Sequence, residues 1–201
     1  NINLVDKAIP ISTYETDNVI KAILSEFHPR SVKGVLTRTS GPPVITASLL
    51  SKALGLRGYS ETIANASVSK YSLFKLSLQR HIKTIPSVIF DNYAKFLNYV
   101  SSSSGAFVLK PDAPVYGKKN VYMIDCSVDN APFYIAAEEE SLNKKVLVQE
   151  IFRGRDIGFM CACSSGRIMW NSFFEEHNVF VDKSVSGKGA TMPPRILSNN
   201  A

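Results

Sequence analysis

One segment, FVLKPDAPVYGKKNV at residues 107–121, holds the lysines best suited to binding phosphate. Its apolar start predicts a strand that carries Lys110, and the Pro, Gly and Lys residues that follow predict a hairpin loop. Gly117 gives this loop backbone freedom, and Asn120 is the residue type other than glycine that best tolerates positive φ. Such a loop can bend over a phosphate chain, with backbone N–H groups donating and lysines neutralising charge. A surface hairpin with solvated lysines is the alternative.

A second segment, VLVQEIFRGRDIGFM at residues 146–160, has the residue types of a nucleoside site. An apolar strand ends in the polar pair Gln149-Glu150, followed by Phe152, a glycine turn and Asp156. In a hinge between two lobes, exposed backbone N–H and C=O groups can form hydrogen bonds with the edge of an adenine. A carboxylate soon after the hinge can accept hydrogen bonds from ribose hydroxyls. An edge strand followed by a charged turn is the alternative.

A third segment, residues 65–88, places Lys70 near the start of an amphipathic helix that leads into a strand. This lysine lies where one domain is expected to meet the next, and its side chain could reach a phosphate. A solvated helix lysine is the alternative, because long lysine side chains commonly keep the ammonium in water.

The first part of the chain has the pattern of an α/β layer. Residues 15–27 predict a helix, residues 32–40 predict a buried strand, and a second helix begins at Pro42 and Pro43 and ends at Gly55. This order of helix, strand and helix is typical of an α/β lobe whose first strand and glycine-rich loop are missing.

From Ile85 onward, the pattern predicts a small antiparallel sheet covered by helices on one side. The order is strand, helix capped by Asp91, strand, loop, strand, helix and strand, followed by a hairpin that turns at Ser165-Gly166. The glycine-, proline- and serine-rich residues 184–201 predict a loop.

The composition is typical of an ordinary globular protein, and the net charge indicates an anionic partner. Of the 201 residues, 45% are hydrophobic and 20% charged, and no apolar run approaches the roughly 20 residues needed to span a bilayer, so we expect a cytoplasmic protein. The net charge of +6 suits a phosphate-bearing small molecule, a nucleic acid or a membrane surface. Because the basic residues are spread along the chain, the polymer partners are disfavoured. Cys161 and Cys163 are two residues apart in a predicted strand, so both face the same side. We expect them to be buried, reduced thiols.

The order of the three segments resembles the ATP-grasp superfamily of carboxylate-amine ligases over roughly residues 32–160. Members have a lysine at a helix start, a strand with a KP pair, a glycine-rich loop and a hinge followed by a carboxylate. The resemblance implies an α+β or α/β chain with a partial Rossmann-like N-terminal lobe and linking helix at residues 1–84. A central lobe with the phosphate loop and adenine hinge follows at residues 85–152, and an incomplete C-terminal lobe begins at residue 153.

Carried over by motif position, the resemblance implies which residues bind ATP. Two lysines would contact the phosphates, the loop would cover the β- and γ-phosphates, and the hinge would bind adenosine. These residues are Lys70, Lys110, Tyr116, Gly117, Lys118, Lys119, Asn120, Gln149, Glu150, Ile151, Phe152 and Asp156.

The chain also departs from the family pattern. Ser69 stands where an aspartate usually precedes the lysine, the loop has a single glycine, and Asp156 is shorter than the usual glutamate. Binding of magnesium is expected with ATP, but the two carboxylates and asparagine that usually hold it are expected outside this chain. No catalytic residue is assigned.

The resemblance implies ATP-dependent activation of a carboxylate as an acyl phosphate, followed by ligation to an amine. The expected partners are small-molecule carboxylates and amines, without a membrane, and a homodimer is compatible with the resemblance. Two alternatives stay open: a nucleotide-binding module without catalysis, and a basic nucleic-acid-binding domain.

Overall fold

The computed structural model describes residues 5–115, 119–152, 154–181 and 184–194. The chain divides into two compact units, one formed by Asn1–Thr84 with Asp112–Val115 and the other by Ile85–Pro111 with Tyr116–Ala201. Of the helices in the described residues, none combines the length and the apolar character required to cross a membrane.

The first unit is helical in its described part. Its α-helices are α1 (Thr16–Glu26), α2 (Pro42–Ala53), α3 (Glu61–Val68) and α4 (Lys70–Gln79), and a short 3₁₀ turn covers Pro29–Ser31. The sequence explains the helix starts: two prolines open α2, and Ser60 caps α3 by accepting a hydrogen bond from the backbone N–H of Ile63. The predicted helices at residues 15–27 and 42–55 are therefore confirmed.

The strand predicted at residues 32–40 is wrong. The backbone there forms no strand, and Leu36 is 95% exposed. An isolated extended segment has no ladder to satisfy its N–H and C=O groups, and among the described residues of this unit no other strand is present to pair with it.

The second unit contains a seven-stranded sheet with neighbouring strands antiparallel, in the order β1-β4-β2-β3-β7-β6-β5. Its elements are β1 (Ser87–Phe90), α5 (Tyr93–Ser101), β2 (Phe107–Pro111), β3 (Tyr122–Ile124), α6 (Ala131–Glu140), β4 (Val146–Glu150), β5 (Asp156–Ser164), β6 (Arg167–Val181) and β7 (Ser184–Thr191). This arrangement confirms the predicted antiparallel sheet with helices.

The core of the second unit lies between one face of the sheet and the two helices. Phe107 and Leu109 of β2 pack there with Val146 and Val148 of β4, because alternate residues of a strand share a face. The cluster also contains Phe90, Phe96, Val100, Ile124, Tyr134 and Ala137. The opposite face of β1, β2 and β4 carries the alternate residues, among them Ser87, Lys110 and Gln149.

Three predictions about this unit need correction. Asn92, not Asp91, caps α5, because its side chain accepts the backbone N–H of Lys95. Residues 184–191 form β7 and not a loop, since pairing with β6 satisfies backbone groups despite the glycines. Cys161 and Cys163 are exposed and not buried, because β5 is the edge strand of the sheet and is exposed along almost its whole length.

The connection between β4 and β5 shows that the sheet is bent. The two strands are five positions apart in the sheet, a distance of roughly 24 Å across a flat sheet. The link from Glu150 to Asp156 spans at most about 20–22 Å when fully extended. Residues Tyr122 and Ser184 form the pairing that joins β3 to β7. The sheet is therefore not flat between β4 and β5.

Candidate functional site

The face of β1, β2 and β4 opposite the helices carries the candidate site. Strand pairing places Lys110 opposite Leu147, and places Val108 opposite Gln149. Ser87 of β1 pairs with Gln149 from the other side. Paired residues share a face of the sheet, and so do residues i and i+2 of one strand, so Lys110 and Gln149 lie on the same face. Leu147 also lies on this face, in the central strand β4, and is completely buried.

Lys110 places a poorly hydrated cation on this face. The side chain is half-buried, and desolvation by burial lowers the pKa of its ammonium. Within residues 5–115, 119–152, 154–181 and 184–194, this ammonium has neither a hydrogen bond nor an ion pair. A desolvated ammonium without a partner is unfavourable in itself and attracts an anion strongly. The prediction that a strand carries Lys110 is confirmed, since Lys110 lies in β2.

Gln149 has a side-chain orientation that its neighbours fix. The Ser87 hydroxyl donates to the backbone carbonyl of Ile85 at 3.0 Å, and a carbonyl can only accept. The hydroxyl oxygen is then left to accept from the Gln149 amide, whose Nε2 lies 2.6 Å away. This chain of bonds settles which end of the amide is nitrogen. The Gln149 Oε1 atom therefore turns away from Ser87 as an acceptor.

The crossing after β4 leaves backbone groups accessible. Glu150 is exposed and pairs with Phe107, so it lies on the face opposite Gln149. Ile151 is half-buried, and Phe152 is 78% exposed. In the part of the chain that the structure describes, the backbone N–H of Phe152 donates no hydrogen bond. Among these residues, nothing occupies this N–H, so it can donate to a ligand.

Asp156 begins β5 and pairs across the ladder with Glu176. Its carboxylate is exposed, and its Oδ2 atom accepts a hydrogen bond from the Asn178 side chain. That bond holds the carboxylate in one orientation while its other oxygen faces away from Asn178. Asp156 thus has the chemistry to accept a hydrogen bond from a sugar hydroxyl.

The loop between β2 and β3 is described at both ends, at residues 112–115 and 119–121. Tyr116, Gly117 and Lys118 lie outside the described residues. Lys119 forms an ion pair with Glu140 of α6, with 3.3 Å between Nζ and Oε2. Asn120 has φ of 54°, as expected for this residue type, and its Nδ2 donates to the Ala136 carbonyl at 2.9 Å. These contacts fasten the end of the loop to α6.

In the first unit, Lys70 is the first residue of α4, as the sequence predicts, and Asp112 holds that helix start. The completely buried Asp112 carboxylate accepts from the Tyr71 backbone N–H at 2.7 Å and from the Ser69 hydroxyl at 2.8 Å. Its backbone carbonyl accepts from the Lys70 N–H at 3.1 Å. An aspartate is absent at position 69, but a carboxylate from elsewhere in the chain satisfies the helix start.

Sequence reasoning missed Asp112 and Ser87. The sequence contained a weak signal for Asp112. This residue directly follows the KP pair, and the serine at position 69 meant that the helix start at Lys70 lacked the usual neighbouring carboxylate. Ser87 could not be found without the strand register, because its partner Gln149 is 62 residues away. Nor does the described part of the chain contain three or more histidine, cysteine, aspartate or glutamate side chains placed to hold a metal ion.

Comparison with solved structures identifies the fold. The chain resembles an L-amino acid ligase from Bacillus licheniformis, with 18% identity and a TM-score of 0.67, over 88% of this chain and 41% of that chain. It resembles an N5-carboxyaminoimidazole synthetase from Staphylococcus aureus complexed with ADP, with 8% identity and a TM-score of 0.68, over 92% of this chain and 46% of that chain. It also resembles an ADP complex of an N5-carboxyaminoimidazole ribonucleotide synthetase, with 12% identity and a TM-score of 0.71, over 96% of this chain and 48% of that chain.

All three are ATP-grasp enzymes, and the matches confirm the predicted ATP-grasp fold. The chain spans less than half the length of each of these proteins. No protein-family model matches the chain, and no curated protein matches it.

Proposed function

We propose that this chain binds ATP and takes part in ATP-dependent ligation of a carboxylate to an amine. In this reaction a carboxylate attacks the terminal phosphate, an acyl phosphate forms with release of ADP, and an amine then displaces phosphate. The observation that carries the proposal is the desolvated Lys110 ammonium on the same sheet face as the oriented Gln149 amide. The ATP-grasp fold supports it, since two of the matched structures contain ADP.

Gln149 and the hinge would bind the base. The Gln149 Oε1 atom would accept a hydrogen bond from the 6-amino group of adenine, and the Phe152 N–H would donate to a ring nitrogen. Glu150 and Ile151 would contribute backbone contacts along this crossing, and Asp156 would accept from the ribose hydroxyls. Together these groups match the donor and acceptor pattern of adenosine.

Lys110 and Lys70 would bind the phosphates. Each ammonium can donate charge-assisted hydrogen bonds to phosphate oxygens, and Lys110 does so from a poorly hydrated position where attraction is strong. The loop residues Tyr116, Gly117, Lys118, Lys119 and Asn120 would cover the phosphates and exclude water. Positioning and charge neutralisation supply most of the catalysis in phosphoryl transfer.

Magnesium is expected to accompany ATP in this proposal. Among the described residues, no group of three or more histidine, cysteine, aspartate or glutamate side chains could hold a metal ion. The magnesium ligands are expected outside this chain.

Isothermal titration with a non-hydrolysable ATP analogue tests the proposal. We expect Lys110→Met to weaken binding by about 10- to 150-fold, the worth of a charge-assisted hydrogen bond. Lys145→Met is the matched control, because Lys145 is exposed just before β4 and its loss changes the net charge equally. No binding to the folded chain at millimolar nucleotide would overturn the proposal.

Phosphate release with a panel of carboxylates and amines separates ligation from binding alone. Turnover that depends on both substrates supports the ligase, whereas nucleotide binding without turnover favours the non-catalytic module. Salt-dependent binding of oligonucleotides that is equal in the wild type and Lys110→Met favours the nucleic-acid-binding alternative.

A further inference from the structure

Two cysteines that the proposed function does not use lie side by side on β5. Residues i and i+2 of a strand point to the same face, so Cys161 and Cys163 share a face of the edge strand. Their Sγ atoms are 3.6 Å apart, both side chains are exposed, and both are free thiols. A hydrogen bond with the Cys163 thiol raises the pKa of Cys161, which shows that the two groups interact.

The local backbone explains why the two side chains converge. Alternate residues of a strand have Cα atoms roughly 6.6–6.8 Å apart. The register of β5 against β6 shifts between Ala162 and Cys163, so that Met169 on β6 is an extra residue without a partner in the ladder. A bulge of this kind bends and twists the hairpin locally. Cys161 and Cys163 therefore lie on either side of this register shift, where the strand bends locally.

The separation suits a bridging atom better than a direct bond. The sulfurs of a disulfide are about 2.05 Å apart, and its two Cα atoms are usually no more than about 6.8 Å apart. Residues i and i+2 of a flat strand lie at the upper end of that range. A single atom about 2.3 Å from each sulfur, the usual thiolate–zinc bond length, would subtend an angle of about 100° at the observed separation. That angle is close to the value of a tetrahedral or pyramidal centre.

We propose that Cys161 and Cys163 form a dithiol site for a thiophilic centre that needs two protein sulfurs, represented by monosubstituted trivalent arsenicals. With an arsine oxide, two As–S bonds form and the As–O bond breaks. The oxygen leaves as water with the two thiol protons, and arsenic stays in the trivalent state. The organic substituent completes the coordination of arsenic, so a third protein ligand is not required.

The surroundings of the pair favour a substituent that is aromatic. Phe159 lies two residues before Cys161 and shares its face, and its ring packs against Phe173 with 4.9 Å between centroids. Both rings are partly exposed and form an apolar shoulder beside the thiols. A phenyl group held on arsenic would be able to contact this shoulder.

Titration of the folded chain with phenylarsine oxide tests the site, and Cys126 is the matched control. Cys126 is an exposed thiol without a neighbouring cysteine in the described residues. We expect one equivalent to protect two of the three thiols from a chromogenic disulfide reagent. A small dithiol should reverse the protection, whereas a monothiol at the same concentration should not.

Variants decide which thiols bind. Cys126→Ser should leave the affinity unchanged, and Cys161→Ser and Cys163→Ser should each weaken it by about 100-fold or more, because each removes the chelate. Circular dichroism confirms that each variant is folded. Stoichiometric protection that survives in both Cys161→Ser and Cys163→Ser, or that is lost in Cys126→Ser, overturns the proposal. Either result leaves the ATP proposal untouched, since neither cysteine belongs to that site.

Discussion

Replacing Lys110 by methionine should change ligand binding and protein stability in opposite directions. Methionine keeps an unbranched apolar side chain of similar length and removes only the ammonium. A residue retained for packing would lose stability on substitution, whereas a residue retained for an anionic ligand would gain stability and lose affinity. The substitution therefore separates the two roles in one experiment.

The magnitudes follow from the environment of the ammonium. The half-buried group has no hydrogen bond or ion pair to the described residues, so folding leaves part of its lost hydration uncompensated. Removing a buried polar group that lacks a partner should raise the free energy of unfolding by about 1 kcal/mol. This value is at the lower end of the range from mutational data, because the burial is partial. The same ammonium would contribute about 1.5–3 kcal/mol to a phosphate contact, or roughly 10- to 150-fold in affinity.

The pH dependence has a defined sign. Burial lowers the pKa of Lys110 below 10.5, so the unfolded chain binds this proton more tightly than the folded chain does. Stability of the wild type consequently rises as pH increases from the lowered pKa toward 10.5, where the unfavourable burial of charge is relieved. The stability advantage of the methionine variant should be complete below the lowered pKa and should shrink across this window.

Urea unfolding at several pH values and nucleotide titration at neutral pH provide the measurements, with Lys145→Met as the control that should change neither quantity. A Lys110→Met protein that is less stable than the wild type at neutral pH would refute the desolvation argument. A more stable variant with unchanged nucleotide affinity would refute the role of Lys110 in phosphate binding while leaving the desolvation argument intact.

Three further predictions follow from contacts in the two units. Ser87→Ala should free the Gln149 amide to turn over and so reduce the preference for ATP over GTP by about 10-fold, the worth of one hydrogen bond, and threonine at position 87 should restore it in nucleotide titrations. Asp112→Ala should lower the free energy of unfolding in urea by about 2–4 kcal/mol, because two partly buried donors lose their acceptor, and Asp112→Asn should cost less because its carbonyl oxygen can still accept. Gly158→Ala should destabilise the chain by about 1–3 kcal/mol, since an added Cβ would overlap the Phe174 ring, and the same unfolding experiment measures this.

Local signals in the sequence were sufficient for most elements of the second unit. The helix before residue 101, the β2–β3 hairpin and the hairpin turn at Ser165-Gly166 all depend on residues within a few positions of one another. Ser165 and Gly166 both have positive φ, as a two-residue hairpin turn requires. The predicted strand that carries Lys110 is likewise confirmed, since Lys110 lies in β2.

The errors occurred where distant pairing decides the outcome. The sequence SVSGKGAT of β7 has low strand propensity, yet β6 provides a continuous ladder partner that makes the extended conformation favourable. Residues 32–40 show the reverse case: strand propensity is high, but the described residues of the first unit provide no partner strand. A single sequence without an alignment shows propensity directly, whereas it shows the presence of a pairing partner only indirectly.

The same reasoning applies to the residues proposed to bind the base. Gln149 was predicted from its position at the end of an apolar strand, but a glutamine amide can present either its nitrogen or its oxygen to a ligand. Which end it presents depends on Ser87, and Ser87 in turn depends on the Ile85 carbonyl. In the proposed site, selectivity for a base would therefore depend on the register of β1 against β4, and a one-residue slip of that register would remove it while leaving Gln149 in place.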